Sequence, residues 1–289
     1  MSKRKSCYVR FAEVAYHLSK RVLPRYTHLK SPHYFTWPQL NACVLLMFYA
    51  RKSYRDMEEW LLASEAICLA LELSQVPDHS TLCRAFKRLK MAQLHAMYRD
   101  LLDELAVQEE TIAFDTTGFS LTQASLHYLA RSGGRYEQFI KGAYAVGVSS
   151  QFILAAMSGI GPEADTGYLA PLRRKSRHYA RKRPWVILAD SGFDGTQVQP
   201  GDLIPPIRRG GVMKKPERKA RFDLVSAARL DGLFGQRWKC ETVNSVIKRK
   251  FGDDVRSRKA ISRHREPIVK GLVYNLHLRR LGLSLQQSN

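Results

Sequence analysis

Two aspartates stand where a carboxylate could bind a divalent cation. Asp115 ends the apolar run 112–114, and Asp190 ends the apolar run 186–189; small or glycine residues follow both. Carboxylates at the ends of adjacent strands lie within a few ångströms of each other, where they repel unless a cation bridges them. Oxygen donors in this arrangement favour Mg²⁺ or Mn²⁺. Either aspartate taken alone would more often be a turn residue or a helix cap.

A third carboxylate, Glu241, lies in a segment with helical periodicity. At about 100° per residue, four side chains share one face of that helix: Phe234, Arg237, Glu241 and Lys248. Val243, Val246 and Ile247 lie on the opposite face, as expected if that face packs on a sheet and the polar stripe points into a cleft. By themselves, Arg237 and Glu241 would be an ordinary surface ion pair one helical turn apart.

Strands that could position the aspartates begin near residue 111. The pattern predicts strands over 111–115, 142–149, 152–160 and 185–189, with a helix that Asp165 or Thr166 caps before the last of them. The order is therefore β-β-β-α-β. The turn at 149–151 favours antiparallel pairing of strands two and three. Further along, the sequence predicts a short edge strand over 203–207, a basic loop over 208–221, and helices over 224–250 and 266–281.

Residues 1–108 are predicted to form a helical domain, and residues 109–289 a second domain. Helical periodicity indicates helices over 9–23, 36–49, 53–62 and 82–89. The second and third of these fit a helix-turn-helix or a plain helical hairpin equally well. The fourth carries three basic residues and is the better candidate to face DNA: Arg84, Lys87 and Arg88.

Net charge indicates a polyanionic partner. The formal net charge is +21, and residues 171–289 alone hold 28 basic and 10 acidic side chains. Nucleic acid is the partner that such a one-signed segment favours. Beyond the three basic residues of helix 82–89, the candidate DNA-binding residues form two clusters: Arg173, Arg174 and Lys175, and then Arg208, Arg209, Lys214 and Lys215.

Cysteine usage and apolar runs indicate the class of protein. The five cysteines form no CxxC pair and no cluster with zinc spacing, which predicts a reduced cytosolic protein without structural zinc. The longest strongly apolar run, 42–50, is too short to cross a bilayer, and charged residues interrupt the N-terminal segment that could otherwise be a signal peptide. Neither export nor a membrane partner is expected.

The helix around Glu241 resembles part of the DDE transposases of bacterial and archaeal insertion sequences. Arg237, Glu241 and Lys248 match the Tyr-x2-Arg-x3-Glu-x6-Lys signature of one branch, and Phe234 stands in place of its tyrosine. Three further segments are similar to the family: 114–117 to the first-aspartate strand, 189–195 to the second-aspartate motif, and 77–81 to a turn upstream of the catalytic domain. The resemblance covers roughly residues 35–280.

The resemblance implies an RNase H-like fold, an α/β mixed sheet flanked by helices, which agrees with the β-β-β-α-β order. It implies that Asp115, Asp190 and Glu241 hold two Mg²⁺ or Mn²⁺ ions, and that Arg237 and Lys248 contact phosphate or balance local charge. Asp194 is a competing acidic candidate, better explained as a turn residue. The implied partner is double-stranded DNA, namely terminal inverted repeats and target DNA, bound by a dimer in the nucleoid of a prokaryotic cell.

The resemblance implies a transposase that binds transposon-end DNA, cleaves its phosphodiester bonds and transfers the 3′-hydroxyl ends to target DNA. Two other functions fit the same residues. A nuclease of the same fold would cleave DNA without strand transfer, and a catalytically inactive protein would bind DNA with steep salt dependence and no metal effect. The interval from Asp190 to Glu241 is too short for the large β-insertion of some relatives, so the route of second-strand cleavage stays open.

Overall fold

A computed structural model describes residues 5–28, 30, 33–121, 139–181, 185–207, 213 and 215–282. The chain divides into two compact units. The helical unit comprises Met1–Ala106, Lys250–Gly252 and Val269–Asn289, and the sheet unit comprises Val107–Arg249 and Asp253–Ile268. Residues 269–289, which the sequence-based division placed in the second domain, group with the helical unit.

Local capping signals set the helices of the helical unit. These helices are α1 (Cys7–Val22), α2 (Trp37–Tyr49), α3 (Tyr54–Leu62), α4 (Glu65–Ala70), α5 (His79–Arg88) and α6 (Met91–Glu104). Thr36 forms a capping box at α2, and Ser53 forms another at α3. Helix α5 begins three residues before the predicted start, because the carboxylate of Asp78 accepts a hydrogen bond from the backbone N–H of Thr81 at 2.9 Å.

The sheet unit contains a mixed sheet with helices around it. Its elements are β1 (Thr111–Leu121), β2 (Phe139–Gly147), β3 (Ile153–Gly161), α7 (Thr166–Ser176), β4 (Val186–Leu188), α8 (Pro216–Leu230), α9 (Trp238–Phe251), β5 (Asp254–Val255) and α10 (Ala260–Arg280). The last residues of α9 and much of α10 belong to the helical unit. The strand order is β3-β2-β1-β4, and β5 also pairs with β1. Strands β1, β2 and β3 are antiparallel neighbours, whereas β4 and β5 run parallel to β1. This arrangement confirms the predicted α/β fold and its RNase H-like strand order.

Buried side chains explain why β1 lies inside the sheet. Ile112, Ala113 and Phe114 are fully buried, as expected for a strand covered on both faces. Tyr144, which pairs with Asp115 across the β1–β2 register, is also fully buried and donates a hydrogen bond to the carbonyl oxygen of Pro267 at 2.7 Å. Strand β1 continues past Asp115 to residue 121, so Asp115 lies within a strand and not at its end.

The C-terminal part of the chain also departs from the sequence-based boundaries. Helix α8 begins at Pro216 inside the predicted loop 208–221, since proline suits the first turn of a helix. Gly232, at φ +81°, interrupts the predicted helix 224–250, and α9 starts only after a 3₁₀ turn. Helix α10 begins at Ala260, six residues before predicted, and the expected edge strand 203–207 reduces to one bridge from Leu203 to Leu188.

Within the described ranges, no helix combines the length and the apolar character that a bilayer crossing requires.

Candidate active site

Parallel pairing of β1 with β4 places Asp115 and Asp190 side by side. The register pairs Thr111 with Val186 and Ala113 with Leu188. Asp115 and Asp190 each lie two residues beyond this last β1–β4 pair. The backbone of Asp190 stays extended, at φ −76° and ψ 178°. Because side chains alternate along a strand, both carboxylates project to the same face of the sheet from neighbouring strands.

The environment of Asp115 disfavours its charge. Burial raises the pKa of Asp115 to about 6. A hydrogen bond from the backbone N–H of Thr116 and the positive charge of Arg237 act in the opposite direction and lower this pKa. The negative charge of Asp190 raises this pKa further. The two aspartates therefore interact electrostatically, and a cation between them would relieve both the repulsion and the cost of burial.

Asn244 contacts Asp115 and is a candidate site residue that the sequence motifs did not predict. Its side-chain amide donates a hydrogen bond to Oδ2 of Asp115 at 2.9 Å, and the residue is only 6% exposed. The amide oxygen is buried and has no hydrogen-bond partner among the residues that the structure describes. Its position three residues after Glu241, between the polar and the buried stripes of α9, is the sequence signal that could have identified it.

Helix α9 presents a buried stripe and a polar stripe. Of the predicted buried residues, Val243 and Ile247 are fully buried and Val246 is partly exposed. Cys240 is also fully buried, and burial raises the pKa of its thiol well above its usual value. On the polar side, Arg237 donates from Nη2 to Oε1 of Glu241 at 2.5 Å, and the side chain of Glu241 is 52% exposed. This i, i+4 pair is the one that the spacing predicted.

The single predicted helical face is interrupted at its N-terminal end. Phe234 and Arg237 belong to the 3₁₀ turn before α9, so the angle of 100° per residue does not apply to Phe234. The Phe234 ring instead lies 5.1 Å from the guanidinium of Arg229. The Lys248 amine lies 6.0 Å from the centre of the Phe119 ring, two helical turns after Glu241.

The donor set fits a divalent cation in part. Asp115 and Asp190 supply carboxylate oxygens from adjacent strands, the hard donors that Mg²⁺ prefers. Glu241 is engaged with Arg237. In the described part of the chain, no three histidine, cysteine, aspartate or glutamate side chains are grouped closely enough to hold a metal ion. Binding by all three predicted ligands therefore requires the Glu241 side chain to leave Arg237.

A further carboxylate, Asp165, lies beside Asp190. A Cβ atom on Gly192 would be 3.0 Å from Oδ2 of Asp165 and 3.1 Å from Oδ1 of Asp190, so the two carboxylates flank this glycine. Asp165 accepts hydrogen bonds at Oδ1 from the hydroxyl of Thr116 at 3.0 Å and from the amine of Lys141 at 2.6 Å. It makes no side-chain hydrogen bond that caps α7. The sequence pattern predicted Asp165 only as a helix cap. It did not predict that the carboxylates of Asp165 and Asp190 lie close together.

Asp194, the competing acidic candidate, has a structural environment. Its side chain is 5% exposed and pairs with the guanidinium groups of Arg218, at 2.8 Å, and Arg221. It also accepts a hydrogen bond from the backbone N–H of Ile207 at 2.8 Å. These contacts occupy both carboxylate oxygens and attach α8 to the loop after β4.

The basic candidates differ in their surroundings. The three on α5 are exposed: Arg84, Lys87 and Arg88. On α7, Arg174 is exposed and Lys175 is partly exposed, whereas Arg173 donates to Asp202 at 3.1 Å and both side chains are mostly buried. Lys215 is exposed just before α8. The remaining three, Arg208, Arg209 and Lys214, lie outside the described residues.

We expect Asp115→Asn to stabilise the metal-free protein at neutral pH. Because the pKa of Asp115 is raised to about 6, the folded chain binds this proton more tightly than the unfolded chain, and stability is lost as the pH rises through about 6. Removing the charge should increase the free energy of unfolding by about 1–2 kcal/mol at about pH 7.5 and change it little near pH 4.

Urea denaturation in EDTA at both pH values measures this effect. Asp223→Asn, which removes an exposed carboxylate from α8, is the matched control and should leave stability unchanged. An equal gain at both pH values would contradict a raised pKa at Asp115.

A family model described as the transposase DDE domain matches residues 107–276. The match includes both aspartates, Asn244 and the whole of α9. No curated protein matches the chain.

Proposed function

Since the chain belongs to the family of transposases with a DDE domain, we propose that it binds the ends of a mobile DNA segment, cleaves them and joins the freed 3′-hydroxyl groups to target DNA. The observation that carries this proposal is the β1–β4 register, which places Asp115 and Asp190 together on one face of the sheet. The negative charges of these two carboxylates repel each other, and a cation bound between them would relieve that repulsion.

The family generally uses divalent metal ions, and we assign Asp115, Asp190 and Glu241 as the residues that would hold them. Two Mg²⁺ or Mn²⁺ ions, when bound, would activate the attacking oxygen and stabilise the leaving oxygen of the phosphodiester. Asn244 holds the carboxylate of Asp115 in a fixed orientation through its 2.9 Å hydrogen bond. Such supporting hydrogen bonds orient metal ligands.

Arg237 and Lys248 are assigned to the DNA phosphates. In the absence of DNA, Arg237 is paired with Glu241. When the Glu241 carboxylate turns toward a cation, the guanidinium becomes available to a phosphate oxygen, which it can bind through two hydrogen bonds. Lys248 lies on the same polar stripe, two turns along α9, where its charge can bind the next part of the backbone.

Exposed basic side chains supply the rest of the proposed DNA contacts. We assign phosphate binding to Arg84, Lys87 and Arg88 on α5, to Lys175 and to Lys215. In the α7 cluster the exposed Arg174 is a better candidate than Arg173, whose guanidinium is engaged with Asp202. Bringing two DNA ends together requires at least two protomers, so we propose a dimer on double-stranded DNA.

A strand-joining assay tests this function. A labelled duplex that carries the inverted repeat flanking the coding region is incubated with the protein, a supercoiled plasmid and Mg²⁺. We expect the label to be transferred into the plasmid, and EDTA to prevent the transfer. Cleavage without joining would identify a nuclease instead. Salt-sensitive binding without any metal-dependent product would identify a DNA-binding protein.

A further inference from the structure

A pocket in the helical unit has properties that the proposed chemistry does not use. Its volume is about 520 Å³, and it lies between α5 and residues of the segment that precedes α2. Its walls combine aromatic rings with two arginines: Tyr26, Tyr34, Phe35, Trp37, Arg84 and Arg88. Pockets of this volume hold small organic ligands rather than a whole double helix.

The aromatic side of the pocket offers flat surfaces. Tyr34 is 71% exposed, so its ring is open to a planar ligand. Tyr26 stacks on His33 with ring centres 4.0 Å apart. Trp37 is buried, and its indole N–H has no hydrogen-bond acceptor among the described residues. The Tyr26 ring is thus covered by His33 and lies 5.5 Å from the guanidinium of Arg25, and the indole N–H of Trp37 is buried, so Tyr34 is the ring that offers an open face for stacking.

The opposite side of the pocket is positively charged. Arg84 and Arg88 lie one turn apart on α5, and both are exposed. Arg84 donates one hydrogen bond, from Nη2 to the hydroxyl of Thr81 at 3.1 Å. Asp78 also lines the pocket, but its carboxylate accepts from the backbone N–H and the hydroxyl of Thr81, at 2.9 and 2.8 Å, and caps α5. Two guanidinium groups thus remain beside the rings with donors for an anion.

From these surfaces we propose that the pocket binds one unpaired nucleotide of DNA, with its base against the aromatic rings and its phosphate on Arg84 and Arg88. Aromatic rings bind the flat face of any base, and arginine forks match phosphate oxygens. A base inside a duplex has both faces covered by its neighbours, so the occupant must come from a single-stranded end or a flipped nucleotide. The inference rests on the proposed function insofar as DNA is the partner.

Binding to three labelled DNAs tests the proposal, using the full chain in EDTA so that no strand is cleaved. The first is a blunt duplex, the second has the same duplex with a short single-stranded overhang, and the third has an abasic overhang. We expect the overhang to strengthen binding by about fivefold or more, and removal of its bases to abolish that gain. Fluorescence anisotropy at fixed salt gives the three dissociation constants.

Two pairs of variants locate the effect. Tyr34→Ala should remove the preference for the overhang, whereas Tyr34→Phe, which keeps the ring, should retain it. Because Tyr34 is mostly exposed, neither change should unfold the protein. Arg88→Ala should reduce the ratio of overhang to blunt-duplex affinity, whereas Arg99→Ala, which removes the same charge from an exposed position on α6 outside the pocket, should leave that ratio unchanged.

The outcomes separate this inference from the proposed function. Equal binding of blunt and overhang DNA, or a preference that Tyr34→Ala leaves intact, would overturn the pocket assignment while duplex binding still supports the transposase proposal. If the protein binds none of the three DNAs, both proposals are wrong.

Discussion

Asp190→Asn is expected to abolish DNA strand cleavage, with a loss of at least about 1000-fold, while folding and DNA binding are retained. The substitution keeps the size of the side chain and one oxygen that can accept from the backbone N–H of Gly192, a hydrogen bond of 2.9 Å in the native chain. It removes the negative charge that a divalent cation needs. Losing several kcal/mol of charge stabilisation in the transition state corresponds to a rate loss of roughly this size.

Single-turnover cleavage of a labelled transposon end in Mg²⁺ measures the effect. Asp223→Asn is the matched control, because it removes one exposed carboxylate from the same unit and should cleave at the native rate. DNA binding measured in EDTA should be equal for both variants. Cleavage by Asp190→Asn within tenfold of the native rate would remove Asp190 from the site.

Asp194→Asn is expected to reduce the free energy of unfolding by about 3 kcal/mol without a specific effect on metal dependence. Breaking a buried ion pair costs about 3–5 kcal/mol, because it leaves a charge without its partner. Here the carboxylate serves both Arg218 and Arg221, and Asp194 itself is 5% exposed. Arg218 is 37% exposed, so solvent compensates part of its loss, and the lower end of the range is expected.

Urea denaturation in EDTA measures this cost, and Asp190→Asn provides the comparison. Asp190 is only partly buried, and its replacement should change stability far less. Together the two variants separate a candidate ligand from a structural aspartate four residues away. If Asp194→Asn is as stable as the native protein but does not cleave DNA, the ligand role belongs to Asp194.

Features encoded by neighbouring residues were predictable from the sequence. Capping at Thr36 and Ser53 depends on side chains three residues apart, and the strand order depends on short apolar runs between turn residues. The pairing of Arg237 with Glu241 also follows from the spacing of one helical turn. These parts of the prediction agree with the structure, whereas the cation site formed by Asp115, Asp190 and Glu241 remains a prediction.

Contacts between distant residues were decided by the tertiary structure. The amide of Asn244 reaches Asp115 across 129 positions, and Asp165 meets Thr116 across 49. By contrast, Asp194 pairs with two arginines on α8, a helix that the sequence had predicted to begin later. The types and spacing of the residues determined the candidate carboxylates, the succession of strands and helices along the chain, and the helix caps, because these features are encoded by residues close together in sequence. Only the folded chain decided which polar groups are buried together, because burial and electrostatic coupling depend on elements that are remote in sequence.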